Sequence, residues 1–169
     1  MAVAEIQQPI PGPVRCVGMS QEGRKGGRFD DGTDAVIGAC IEVHRHLGPG
    51  LMESAYEACL CAELSERGLN FERQSPLPVR YKGVYLDCGY RIDLVVQNTI
   101  LVELKSIERL LAIHEAQVIT YLRLSQLPVG LLVNFNATVL RSGLRRLTPY
   151  YPKSFRPSAL PVKSNPENV

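Results

Sequence analysis

Arg91-Ile92-Asp93-Leu94-Val95-Val96 and Ile100-Leu101-Val102-Glu103-Leu104-Lys105-Ser106-Ile107 set two carboxylates and an amine inside runs that are otherwise apolar. Runs rich in Val, Ile and Leu suit strands covered on both faces. An isolated ionised group there costs on the order of several kcal/mol unless it is paired or bound to a metal. The charges at Asp93, Glu103 and Lys105 therefore need a purpose.

Side chains alternate along a strand, so Glu103 and Lys105 project to one face while Val102 and Leu104 project to the other. Gln97-Asn98-Thr99 lies between the two runs and reads as a tight turn, which predicts an antiparallel pair. With a three-residue loop Val96 pairs with Ile100, and Asp93 falls opposite Glu103 with Cβ atoms roughly 5 Å apart. A two-residue loop would put them on opposite faces unless a bulge corrected the register. Two carboxylates at that separation suit a hard divalent cation, Mg²⁺ or Mn²⁺, which takes oxygen ligands and keeps several waters. Lys105 beside them would orient or deprotonate an attacking water, or offset charge on a phosphate. The same spacing also fits a solvated strand face, where Glu103 and Lys105 form a surface pair worth less than about 1 kcal/mol. The pattern D-x9-E-x-K leaves both readings open.

Around these strands further motifs follow in order: IEVHRHLGP, then Gly50-Leu51-Met52-Glu53-Ser54-Ala55-Tyr56, an ELSERGL helix end, PLPVRYKG, GYRIDLVV, VELKSIE, HEAQVITYL and GLLVNF. From about Ala35 to Leu147 the chain resembles the GxxExxY proteins, a branch of the PD-(D/E)XK nuclease superfamily. The resemblance implies an α/β sandwich, a central mixed sheet flanked by helices, and metal-dependent phosphodiester hydrolysis. It puts Asp93, Glu103 and Lys105 at the signature positions, with Ile92 where the signature is named for Pro. It also implies that Glu53 adds an acidic group near the metal, so the expected ligands are Asp93, Glu103 and Glu53. Read without the resemblance, Glu53 simply stabilises a helix N-terminus.

The rest of the chain supplies one domain. Pro- and Gly-rich residues 1–32, with PIPGP and GRKGGR, and the Pro-rich tail 149–169 are expected to be disordered, leaving a nuclease-like domain over 33–148. Asp34 is the expected N-cap of a first helix that runs to about Leu47. Gly48-Pro49-Gly50 breaks it, and a second helix runs from about Met52 to Arg67, with Gly68 as C-cap. Strands are expected near Phe71 to Ser75, Pro78 to Tyr81, Val84 to Cys88, Arg91 to Val96 and Ile100 to Ile107, with Lys82-Gly83 as a hairpin turn. A third helix covers about Ile113 to Ser125 and sets His114, Gln117 and Tyr121 on one face. Gln117 and Tyr121 match the Q-x-x-x-Y pattern of exonuclease-like branches, which implies support of the lysine or the substrate. Val129 to Phe135 reads as an interior strand and Val139 to Leu147 as a last hairpin turning at Gly143.

Composition agrees without deciding. The 169 residues and 45% hydrophobic content allow one sizeable core, and a net charge of +2 does not by itself announce nucleic acid. Arg141, Arg145, Arg146, Lys105, Arg109 and Arg123 are the candidates for a local cationic surface. Five cysteines form no secreted disulfide framework, and no apolar run approaches a signal core or membrane span, so a cytoplasmic location and no membrane association are expected. The expectation is a Mg²⁺- or Mn²⁺-dependent nuclease acting on nucleic acid, DNA before RNA. Asp93, Glu103, Lys105, Glu53 and Gln117 would be catalytic, and Tyr121, His114 and Arg109 would contact substrate. A homo-oligomer or a protein partner is allowed. The competing expectation is a non-catalytic nucleic-acid-binding or assembly protein that keeps the nuclease fold.

Overall fold

The structure is a computed structural model that describes residues 31–149. The two segments expected to be disordered lie outside the described residues, apart from Asp31, Gly32 and Pro149. Helices α1 (Thr33–Leu47) and α2 (Glu53–Glu66) come first. Helix α1 buries Val36, Ala39, Cys40 and Val43, a stripe of spacing three, one and three, and α2 buries Tyr56, Leu60 and Leu64, one turn apart. The start of α1 differs from expectation. Asp31 Oδ1 accepts the Thr33 N–H at 3.1 Å and the Thr33 hydroxyl at 2.6 Å, so the helix begins before Asp34, which lies in its first turn.

Strands β1 (Phe71–Pro76), β2 (Val79–Tyr81), β3 (Val84–Leu86), β4 (Arg91–Val96) and β5 (Ile100–Lys105) follow, then helix α3 (Ala112–Ser125), β6 (Val129–Asn134) and β7 (Leu144–Leu147). Five strands form one mixed sheet in the order β1-β4-β5-β6-β7, with β5 and β6 parallel and the other neighbours antiparallel. Strands β2 and β3 pair only with each other, turning at Lys82 and Gly83, both at positive φ. The expected hairpin over Val139 to Leu147 does not form. Leu140–Gly143 is a short 3₁₀ helix instead, and β7 pairs with β6, whose open edge offers a full ladder.

The sheet is packed on both sides. Leu94, Val96, Ile100, Val102, Leu104, Leu131 and Val133 meet α1 and α2, while Leu101, Leu132 and Val95 meet Val118, Tyr121 and Leu122 of α3. Close approach of α3 needs Gly130, where an added Cβ would stand 2.8 Å from a Val118 methyl. Alternation along β5 therefore sends Val102 and Leu104 to one layer, and Glu103 and Lys105 to the side of α3. Among the described residues no helix is long and apolar enough to cross a membrane.

Candidate active site

The β4–β5 turn has the three-residue length. Val96 pairs with Ile100, Gln97 and Asn98 take left-handed φ values of +53° and +56°, and Thr99 N–H bonds back to Val96 O at 3.1 Å. Leu94 then faces Val102, and one step further the register sets Asp93 opposite Glu103. The backbone ladder ends there. Asp93 Oδ2 accepts the Leu104 N–H at 2.8 Å, so a carboxylate takes the place of a strand carbonyl. On its other side the β1–β4 ladder skips Gln74 and Asp93, and Gln74 sits at φ +49° in the middle of a strand. Beyond this break Ile92 packs with Leu77 in the α3 layer, although Leu94, two residues on, packs with α1 and α2. A regular strand would put both on one face, so β4 turns over at Asp93. Asp93 and Glu103 thus lie at the ends of two interior strands.

Glu103 is 3% exposed. Its Oε1 accepts Lys105 Nζ at 2.6 Å and Gln117 Nε2 at 3.0 Å, and Gln117 Nε2 also reaches the Tyr121 hydroxyl at 3.0 Å. Glu103 Oε2 is buried without a hydrogen-bond partner. Burial and the neighbouring Asp93 charge push the Glu103 carboxyl up to about 7, against the pull of Lys105. Burial also raises Asp93, while the Leu104 N–H, Lys105 and Gln74 hold it back. For Lys105, burial works against the cation, but its bond to Glu103 and the charges of Glu103, Glu53 and Asp93 outweigh it. Lys105 is accordingly an ammonium at neutral pH.

This donor set fits a divalent cation. A buried carboxylate oxygen with no donor is a group that costs free energy until something electropositive meets it. Asp93 and Glu103 offer hard oxygen atoms of the kind Mg²⁺ and Mn²⁺ prefer. The expected third ligand is not gathered with them: the described residues contain no group of three or more His, Cys, Asp or Glu side chains that could hold a metal. Two carboxylates suffice for Mg²⁺ where substrate phosphate and water complete its shell. Glu53 Oε1 instead accepts the Ser106 N–H at 3.0 Å, and the Ser106 hydroxyl bonds Leu51 O at 2.5 Å, tying the end of β5 to the start of α2.

The other residues of G-x-x-E-x-x-Y have structural parts. Gly50 takes φ +109°, open only to glycine without strain. The Tyr56 hydroxyl donates to Gly48 O at 2.6 Å and accepts the Leu51 N–H at 3.1 Å, and its ring stacks on Phe135 at 4.5 Å between centroids. Tyr56 therefore pins the loop and packs α2 on the sheet.

Of the expected substrate contacts, Tyr121 stands beside Gln117, whereas His114 does not join them. Its Nδ1 accepts the Leu111 N–H at 3.0 Å and closes the first turn of α3. Arg109 lines a cleft of about 360 Å³ with Arg145, Asn134 and Asn136. The wider arginine surface is broken up by pairing: Arg146 bonds Asp31, Arg145 stands 3.6 Å from Glu115, and Lys105 turns to Glu103.

Two residues escaped the sequence reading. Glu57, nearly buried, accepts Arg73 Nε at 2.9 Å on Oε1 and Gln74 Nε2 at 2.8 Å on Oε2, and the same Gln74 nitrogen lies 3.3 Å from Asp93 Oδ1. A Glu57–Gln74–Asp93 chain thus backs the site. Glu57 left a trace, a charge one turn after Glu53 and one turn before buried Cys61 on the inward stripe of α2. Gln74 left none, because its part depends on a backbone angle.

Residues 30–147 match the family profile of the PD-(D/E)XK nuclease superfamily. The chain belongs to that superfamily. No match was found among curated proteins or among solved structures. The mixed sheet with helices on both faces is the PD-(D/E)XK nuclease fold, and membership carries nuclease as the class of activity.

Proposed function

We propose that this PD-(D/E)XK protein is a divalent-metal-dependent nuclease of the GxxExxY branch that hydrolyses phosphodiester bonds, with DNA the favoured substrate. The observation that carries the proposal is the buried, undonated Glu103 Oε2 beside Asp93 and an ammonium at Lys105. The branch assignment is supported by the motif residues Gly50, Glu53 and Tyr56, each with a task at the start of α2.

Asp93 and Glu103 would hold Mg²⁺ or Mn²⁺, which when bound supplies positive charge to the scissile phosphate and lowers the pKa of water. Lys105 enters as a charged donor, so its task is to orient the attacking water and offset charge on the phosphate rather than to take the proton. Gln117 fixes the Glu103 carboxylate from α3, and Gln74 fixes Asp93 from β1. Water adds to phosphorus, the bond to the leaving sugar oxygen breaks, that oxygen gains a proton, and the water's proton passes to solvent. Glu53 holds the strand end at Ser106 and adds negative charge near Lys105. Asp93→Ala and Lys105→Ala proteins, checked for folding, should each lose metal-dependent cleavage of labelled DNA. Full cleavage by both would refute the assignment.

A further inference from the structure

Strands β2 and β3 form a hairpin outside the main sheet, and it carries exposed aromatic rings. Tyr81 is 59% exposed, Tyr85 50% and, at its base, Tyr90 48%, with Val84 and Leu86 also open. Rings this exposed on a two-stranded ribbon belong to no core and are open to contact. Cations accompany the rings: Arg80 lies 5.7 Å over Tyr85 and Lys82 lies 5.3 Å over Tyr81. Between Leu77 and Arg91 there are three cations, Arg80, Lys82 and Arg91, against one carboxylate, Asp87. Asp87 is turned to the backbone, accepting the Gly89 N–H at 2.9 Å.

The position of the hairpin gives that chemistry a purpose. It leaves β1 at Pro76 and rejoins β4 at Arg91, two residues before Asp93, so it extends from the end of the sheet that carries the site. At its base Leu77 N–H bonds Tyr90 O at 2.8 Å, and the Tyr90 ring lies 6.0 Å from Tyr121, whose hydroxyl meets Gln117 beside Glu103. The register pairs Tyr81 with Val84 and Tyr85 with Arg80, so the two hairpin rings lie on opposite faces of the ribbon, each with its own cation, and Tyr90 joins the base of the hairpin to the site.

We propose that the β2–β3 hairpin is a stacking arm for unpaired bases, which makes single-stranded nucleic acid the substrate class of the proposed nuclease. Bases have π faces of any sequence and phosphates are anionic, so alternating aromatic and cationic side chains suit a single strand. In a duplex the base faces are already stacked, and the rings have nothing to grip. The inference rests on the nuclease reading only for its consequence in substrate choice, since the binding stands by itself.

The test is binding in EDTA, where no hydrolysis runs, of a labelled oligothymidylate and a duplex of equal length to the full chain. The rings of Tyr81 and Tyr85 are open to solvent, so Tyr81→Ser and Tyr85→Ser should fold as wild type, which circular dichroism checks. Each should weaken oligothymidylate binding by about tenfold or more, and Tyr81→Phe and Tyr85→Phe should restore it. The chain has no Trp, so quenching of tyrosine emission on binding reports stacking directly. Equal affinity of wild type and both serine variants for the single strand would overturn the arm. So would a dimer that the serine variants convert to monomer, which would make the ribbon a contact between copies. Ring-dependent binding without any metal-dependent cleavage would uphold the arm and refute the nuclease reading alone. Asp93-dependent cleavage with unchanged binding by the variants would do the reverse.

Discussion

The two ends of the β4–β5 pair belong to the same two strands and behave differently. At the turn end Val96, Ile100 and Leu101 are paired in a regular ladder and buried between two helical layers. At the other end the ladder opens, Asp93 takes a backbone N–H into its own carboxylate, Gln74 is forced to a positive φ, and Glu103 keeps an oxygen without a donor. One end spends its residues on stability. The other carries a strained backbone and a buried oxygen without a donor, which natural sequences retain where function needs them.

The largest contrast should come from substitution at the open end. Glu103→Gln or Asp93→Asn should lower cleavage by about a thousandfold, the scale of a lost metal-held charge, while the protein stays folded. A fall in activity that tracked unfolding in circular dichroism would erase the distinction between the two ends. At the turn end Leu101→Ala should cost about 2–5 kcal/mol in urea unfolding and leave the chemistry of the remaining folded molecules unchanged.

A smaller effect should follow from the backing chain. Gln74→Ala removes a donor that joins Glu57 to Asp93 and should reduce activity or metal affinity by about 10- to 100-fold. An unchanged metal titration would show that Asp93 needs no support from β1.

The smallest is a pH effect on stability. Glu103 is raised from its ordinary 4.5 to about 7 in the fold, so its contribution is fully present below pH 4.5 and is lost as pH rises through 7. In EDTA the melting temperature should fall between pH 6 and pH 8 by a few degrees, corresponding to about 1 kcal/mol, and Glu103→Gln should flatten that slope. Added Mg²⁺ at pH 8 should restore the wild-type temperature, since binding stabilises the folded state by mass action.

Much of the fold could be read from residue pattern. The runs Arg91–Val96 and Ile100–Lys105, the existence of a turn between them, the Lys82-Gly83 hairpin and the three helices all follow from local periodicity and turn chemistry, whereas the three-residue length of the β4–β5 turn does not. The last segment could not, because β7 is chosen by a free edge on β6 and not by its own residues. At the site, the shared face of Gln117 and Tyr121 is legible in their spacing, but the bond from Gln117 to Glu103 and the tie from Glu53 to Ser106 are not, since they depend on where α3 and α2 lie relative to β5. His114 shared the face of Gln117 but serves the helix end, a competition that spacing alone does not resolve. Glu57 and Gln74 act through a strand break opposite Asp93, and no residue type announces that break.

The most direct test is hydrolysis of labelled single-stranded DNA, duplex DNA and RNA by wild type and Glu103→Gln, each with Mg²⁺, Mn²⁺ or EDTA. The account predicts cleavage that needs both the metal and Glu103, fastest on single-stranded DNA. Cleavage that persists in EDTA or in Glu103→Gln, or no cleavage of any substrate by a folded protein, would contradict it and favour a binding protein that has kept the nuclease fold.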